Sequence, residues 1–175
     1  MRTYTFRMIL DREPVEADYD RLFENGCDDA AFATDRGIAI ADFDRESETM
    51  SDAIATAVAE VEAAGLTPMR IVDHDLVTLA DIADRIDQSR ESVRRYTIGE
   101  RGPGRFPPPI NAGREGATFY RWSEVAPWLR EALGIEAPEE DPALAMANLL
   151  LQARQMKDRV PHSAALGRLL TTQLD

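Results

Sequence analysis

The nineteen residues from Thr78 to Tyr96, TLADIADRIDQSRESVRRY, constrain this chain more than any other stretch. Thr78 is a helix cap, and Asp81 three positions on gives a capping-box-like start. Leu79, Ile82, Ala83 and Ile86 then fall at helical spacing on one face. Asp87, Gln88 and Ser89 break the run with turn chemistry, and Ser89 offers a second cap. The second short helix is expected to turn Val93 and Tyr96 inward and Arg90, Glu91, Arg94 and Arg95 outward. A helix with one small apolar seam and an arginine-rich face suits the major groove, where Arg contacts phosphates and guanine edges.

The residues after Tyr96 extend the pattern. Arg101-Gly102-Pro103-Gly104-Arg105 leads to Phe106-Pro107-Pro108-Pro109-Ile110, then a polar loop from Asn111 to Gly116. Phe119-Tyr120-Arg121-Trp122 and Ser123-Glu124-Val125-Ala126-Pro127-Trp128-Leu129 come next, with Ser123 as the expected cap. In this order the stretch from Val77 to about Leu133 resembles the winged helix-turn-helix of the excisionase/MerR-like superfamily. The resemblance implies a second helix that enters the major groove and a wing that touches the backbone or minor groove. It departs from the family at Asp87, where the turn usually has Gly, and at Gln88, where a small apolar residue is usual. The DNA-contacting residues it implies are Ser89, Arg90, Glu91, Arg94, Arg95, Arg105, Arg114 and Arg121. Trp122, Trp128 and Phe106 are expected to be core residues, since aromatics carry much of the buried area of a small module.

Formal net charge is −12, which by itself argues against a nucleic-acid partner. Its distribution answers that objection. Residues 1–76 hold 18 acids and 7 bases, whereas residues 77–134 hold 8 acids and 9 bases. Between Arg85 and Arg121 there are 8 arginines and 4 acids, so positive charge gathers where the helical motif lies.

Ahead of the motif, Thr3 to Leu10 alternates, with Tyr4, Phe6, Met8 and Leu10 on one side and Thr3, Thr5 and Arg7 on the other. Val15, Tyr19, Leu22, Phe23 and Gly26 mark a helix. Ala30 to Thr34 and Gly37 to Phe43 are short strands joined by a hairpin at Asp35-Arg36-Gly37. Ser51 is the expected cap of a helix with Ile54, Ala57, Val58 and Val61 inward, and Thr67 to Asp73 is the last strand. The order is that of a ferredoxin-like βαββαβ domain, its second sheet face polar or meeting a partner. Asp11, Asp42 and Asp44 sit at strand ends, and no base, nucleophile or phosphate loop accompanies them. His74 stands between two acids without the further ligands a metal site requires. Cys27 has no disulfide partner.

Beyond Gly134 comes an acidic linker, Glu136 to Pro142, then helical patterns over Ala143 to Lys157 and Ala164 to Leu174. Neither is long enough to be stable alone, so both must pack on the body, a second subunit or another protein.

The expected fold class is therefore α+β: a ferredoxin-like domain (1–74), a winged helix-turn-helix (75–134) and a linker with a helical tail (135–175). The expected function is a transcriptional regulator that binds double-stranded DNA as a homodimer on an inverted repeat. Two alternatives stand beside it: an antitoxin-like interaction protein that controls its own operon, and an excisionase-like DNA-bending protein. No enzyme activity, cofactor, metal or membrane span is expected. A strand that starts at Thr3 and a lone cysteine point to a cytoplasmic setting.

Overall fold

The computed structural model describes residues 1–113 and 115–171. The chain is α+β and divides into two compact units. The first is Met1–Val72 together with the chain from Ala143 onward; the second is Asp73–Pro142. Residues 136 to 142, expected as linker, fall in the second unit, and the chain beyond them in the first.

In the first unit the order is β1 (Arg2–Leu10), α1 (Glu16–Glu24), β2 (Ala30–Asp35), β3 (Ile38–Ser47), α2 (Met50–Ala63) and β4 (Pro68–Ile71). The strands form one antiparallel sheet in the order β2-β3-β1-β4. The alternation of β1 sets its register: Tyr4, Phe6, Met8 and Leu10 are buried against Phe43, Ile71 and the α2 residues Ile54, Ala57 and Val61. Thr3, Thr5 and Arg7 take the opposite face. There Arg7 makes a two-pronged bond to Asp42 at 2.7 and 2.9 Å, and Thr5 donates to Asp44. Asp11 accepts from the Thr67 amide. The three strand-end aspartates therefore serve separate local bonds.

The hairpin turns on Arg36 and Gly37, both at positive φ, as a two-residue primed turn requires. β3 runs beyond the expected Phe43, and there Arg45, a buried residue, is fully partnered. Its guanidinium meets Asp29 at 2.8 Å and Glu60 at 2.6 Å, and donates to Thr56 and the Gly26 carbonyl. Hydrophobic periodicity along a strand leaves no place for such a cation. The cap of α2 is Thr49, not Ser51: its Oγ1 accepts from the Asp52 amide. Cys27 lies beneath α2, where burial pushes its thiol up to about 11, leaving it protonated and unreactive at neutral pH.

The second unit contains β5 (Leu76–Val77), α3 (Leu79–Arg85), α4 (Arg90–Thr97), β6 (Tyr120–Arg121) and α5 (Trp122–Leu133). β5 and β6 form a short antiparallel pair. Its core joins Val77, Ile82, Val93, Tyr120, Trp122, Val125 and Leu129. The expected cap of α5, Ser123, is instead inside the helix. Asp75, far back in the chain, performs the capping: its Oδ1 accepts from the Ser123 amide at 2.7 Å.

The chain then enters α6 (Pro142–Met156), which buries Leu151 in the core of the first unit. Gln155 donates to the Met69 carbonyl, and Arg154 pairs with Glu62. The second tail segment is not the expected α-helix. It is a 3-10 run, Ser163–Leu170, and Leu166, Leu169 and Leu170 are exposed. Among the described residues no helix is long and apolar enough to cross a membrane.

Candidate nucleic-acid interface

Local chemistry builds the two helices as the residues demand. Thr78 accepts from the Asp81 amide, and the Asp81 carboxylate accepts in return from Thr78 N–H at 2.7 Å. α3 ends where Asp87 enters the left-handed region at φ 50°. Asp tolerates that conformation better than most side chains, which lets it occupy a position that favours Gly. Gln88 closes the turn, its amide bonded to the Ala83 carbonyl and its Oε1 accepting from the Tyr96 hydroxyl at 3.2 Å. Ser89 then caps α4 through the Ser92 amide at 3.1 Å.

On α4, Val93 and Tyr96 are sealed into the core. Arg90, Glu91, Arg94 and Arg95 are exposed. Glu91 gathers the other charges: Arg94 forks onto it at 2.8 and 2.9 Å, and Arg95 approaches at 3.5 Å. The hydrogen bond from Arg94 holds the Glu91 carboxyl below its ordinary value. Arg90 has no hydrogen-bond or ionic partner among the described residues.

The segment after α4 brings one more arginine onto that helix and exposes a second further along. Arg101 donates to Ser92 and lies 5.3 Å from the centre of the Tyr96 ring. Helical spacing gives Arg101 no role, because its pairing with Ser92 needs the chain reversal at Gly99, which returns the Arg101 amide to the Arg95 carbonyl. Gly102 follows at φ 79°, where any other residue is strained, and an added Cβ would meet Leu133 at 3.2 Å and the Trp128 and Tyr96 rings at 3.4 Å. Arg105 is exposed at φ 55° between two anchors. On one side the Gly104 carbonyl accepts from Trp128 Nε1; on the other the Phe106 ring packs edge-on to Trp128 and Tyr120.

The loop between Phe106 and Tyr120 is pinned at its base. The Ile110 amide bonds to the Phe119 carbonyl at 2.9 Å, and Asn111 bonds both the Phe119 amide and the Ala117 carbonyl. Arg114, the residue expected at the loop tip, lies outside the described residues.

Arg121 is placed apart from this group. Its guanidinium holds Asp75 at 2.8 Å, and Asp75 is almost fully buried. Burial pushes the Asp75 carboxyl up, but bonds from Ser123 and Arg121 outweigh it and keep the group below the usual carboxylate range. Arg85 is likewise occupied, by Glu140, the His74 carbonyl and the Trp122 ring. Of the eight residues expected to touch DNA, the structure puts Ser89 at the cap of α4 and Arg90, Glu91, Arg94 and Arg95 on it, brings Arg101 onto that helix, leaves Arg105 exposed in the segment that follows, and gives Arg121 an ionic partner in Asp75. Both tryptophans are held by indole bonds, Trp122 to the Pro138 carbonyl and Trp128 to that of Gly104.

No protein family, no curated protein and no solved structure matches this chain.

Proposed function

We propose that this chain is a sequence-specific regulator of transcription that binds double-stranded DNA, and that α4 enters the major groove. The observation that carries the reading is the set of five exposed arginines (Arg90, Arg94, Arg95, Arg101 and Arg105) on α4 and the segment pinned behind it. The opposite side of that helix is anchored by Val93 and Tyr96, so the arginines are presented on a rigid support. The second unit is taken as a winged helix-turn-helix of the excisionase/MerR-like kind, and the base-pinned loop 110–119 as its wing. Support for this comes from the capped helix pair, the left-handed turn residue and the order of elements after it. The first unit is taken as ferredoxin-like on the strength of its βαββαβ order and its β2-β3-β1-β4 sheet.

Mechanism in this reading is occupancy: the protein binds an operator and changes polymerase access, with no catalysis, cofactor or metal. Glu91 pairs with Arg94 and Arg95 at the exposed surface, an arrangement weak enough for a phosphate to displace. A base step that offers an acceptor to Arg and a cytosine amino group to Glu91 repays the exchange. One eight-residue helix contacts few base pairs. We therefore place the protein on an inverted repeat as a homodimer in the cytoplasm.

The test is selection of bound fragments from genomic DNA. Wild-type protein is expected to enrich a short inverted repeat, and R94A/R95A to lose it while retaining its circular dichroism. Equal enrichment by both would remove α4 from the reading. Enrichment of single-stranded or structureless sequence would remove the operator.

A further inference from the structure

Helix α1 carries two surfaces that are exposed among the described residues. Val15, Tyr19 and Phe23, spaced i, i+4, i+8, are 60%, 45% and 71% exposed. Helical spacing predicts that they face the core, but Leu22 and the paired Asp18 take that side. Tyr19 continues the apolar stripe onto Phe32 of edge strand β2, ring centres 6.0 Å apart. Beside this stripe runs another of the same spacing, Glu16, Asp20 and Glu24, all exposed and without an ionic partner among the described residues. Like charges at i, i+4 work against a helix, so this arrangement costs stability until a cationic surface meets it.

The same unit holds the complement. Past α6, Leu166, Leu169 and Leu170 are 56%, 76% and 68% exposed. Lys157 and Arg159 precede them, also exposed and without an ionic partner among the described residues. We propose that the tail of one copy, residues 157–170, docks on α1 of a second copy, its leucines on Val15, Tyr19 and Phe23 and its cations on Glu16, Asp20 and Glu24. In one chain both surfaces face solvent. Two copies cover both of them at once, each tail on the other's α1, and such a reciprocal exchange closes on itself as a two-fold dimer. This deepens the dimer part of the reading above and needs nothing from its DNA part.

Full-length protein is to be followed by sedimentation at micromolar concentration and low salt, where a dimer is expected. E16K/D20K should weaken the dimer roughly tenfold, as should K157E/R159E, and the four changes together should restore it. F23S should weaken it as well. All these positions are exposed, and unchanged circular dichroism checks that each variant is folded. A monomeric wild type overturns the proposal, including a monomer whose shape alone responds to the changes, which means the tail docks on its own chain. A dimer indifferent to either pair, or one weakened without rescue by the combination, overturns it too. A charge-swapped dimer that is restored but binds no DNA leaves the exchange standing and removes the regulator reading.

Discussion

Arg105 occupies a backbone conformation that costs an arginine energy. Its φ of 55° lies in the left-handed region that favours Gly, and anchors at Gly104 and Phe106 hold it there. A side chain kept exposed at such a position does nothing for packing, which is the reason to expect a ligand for it. R105G separates the two effects. The variant should gain about 0.5–1 kcal/mol in stability, because glycine relieves the left-handed strain. Its DNA affinity should fall at the same time. Thermal melts together with a binding titration test this, and a drop in both quantities would mean that Arg105 supports the fold instead. No hydrophobic pattern marks this residue; the signal in the sequence is the Gly-Pro-Gly that precedes it, which announces unusual backbone without saying where the cation ends up.

At the scale of elements, α5 depends on a residue nearly fifty positions away. Asp75 caps the Ser123 amide, binds Arg121 and, through its own carbonyl, receives the Trp122 amide at 2.7 Å. Its carboxyl has a lower pKa folded than unfolded. The stabilisation is therefore present in full above the unfolded carboxyl's value of about 4 and is lost as pH falls through the folded value. D75N should cost about 1–2 kcal/mol, because it leaves the partly exposed Arg121 without its charge partner while the amide oxygen can still cap Ser123. It should also flatten the acid limb of the melting profile. Both tryptophans belong to this unit, so tryptophan fluorescence follows it alone. An unchanged acid limb in D75N would put the proton elsewhere. The local caps, Thr78 with Asp81 and Ser89 with Ser92, were legible because they lie within one turn of their targets. The Asp75 cap was not, since Ser123 is an equally good local candidate and only the β5–β6 pairing brings Asp75 to it. The exposure of Tyr19 and Phe23 is hidden for a related reason: helical spacing identifies an apolar stripe but does not say whether a sheet lies against it.

Over the whole molecule the net charge of −12 and the arginine face of α4 act in opposite directions. Acidic surface repels DNA at long range and salt screens that repulsion, so binding must come from a few short-range contacts and its salt dependence should be shallow, set by the few phosphates the arginines reach. The sequence made the α+β class, the order of elements and the arginine concentration visible, because alternation and helical spacing are local signals. Division into units was less so: the shift from acidic linker to apolar helix at Pro142 suggested a separate tail, yet Leu151 completes the core of the first unit. The central claim is that Arg94 and Arg95 meet DNA. It is tested most directly by fluorescence anisotropy on a selected duplex across about 50–200 mM salt, with wild-type protein and R94A/R95A side by side. Wild-type affinity should fall linearly on logarithmic axes; the variant should bind roughly tenfold or more weakly, with a slope shallower by about one to two. A folded variant with wild-type affinity and wild-type slope would contradict the account.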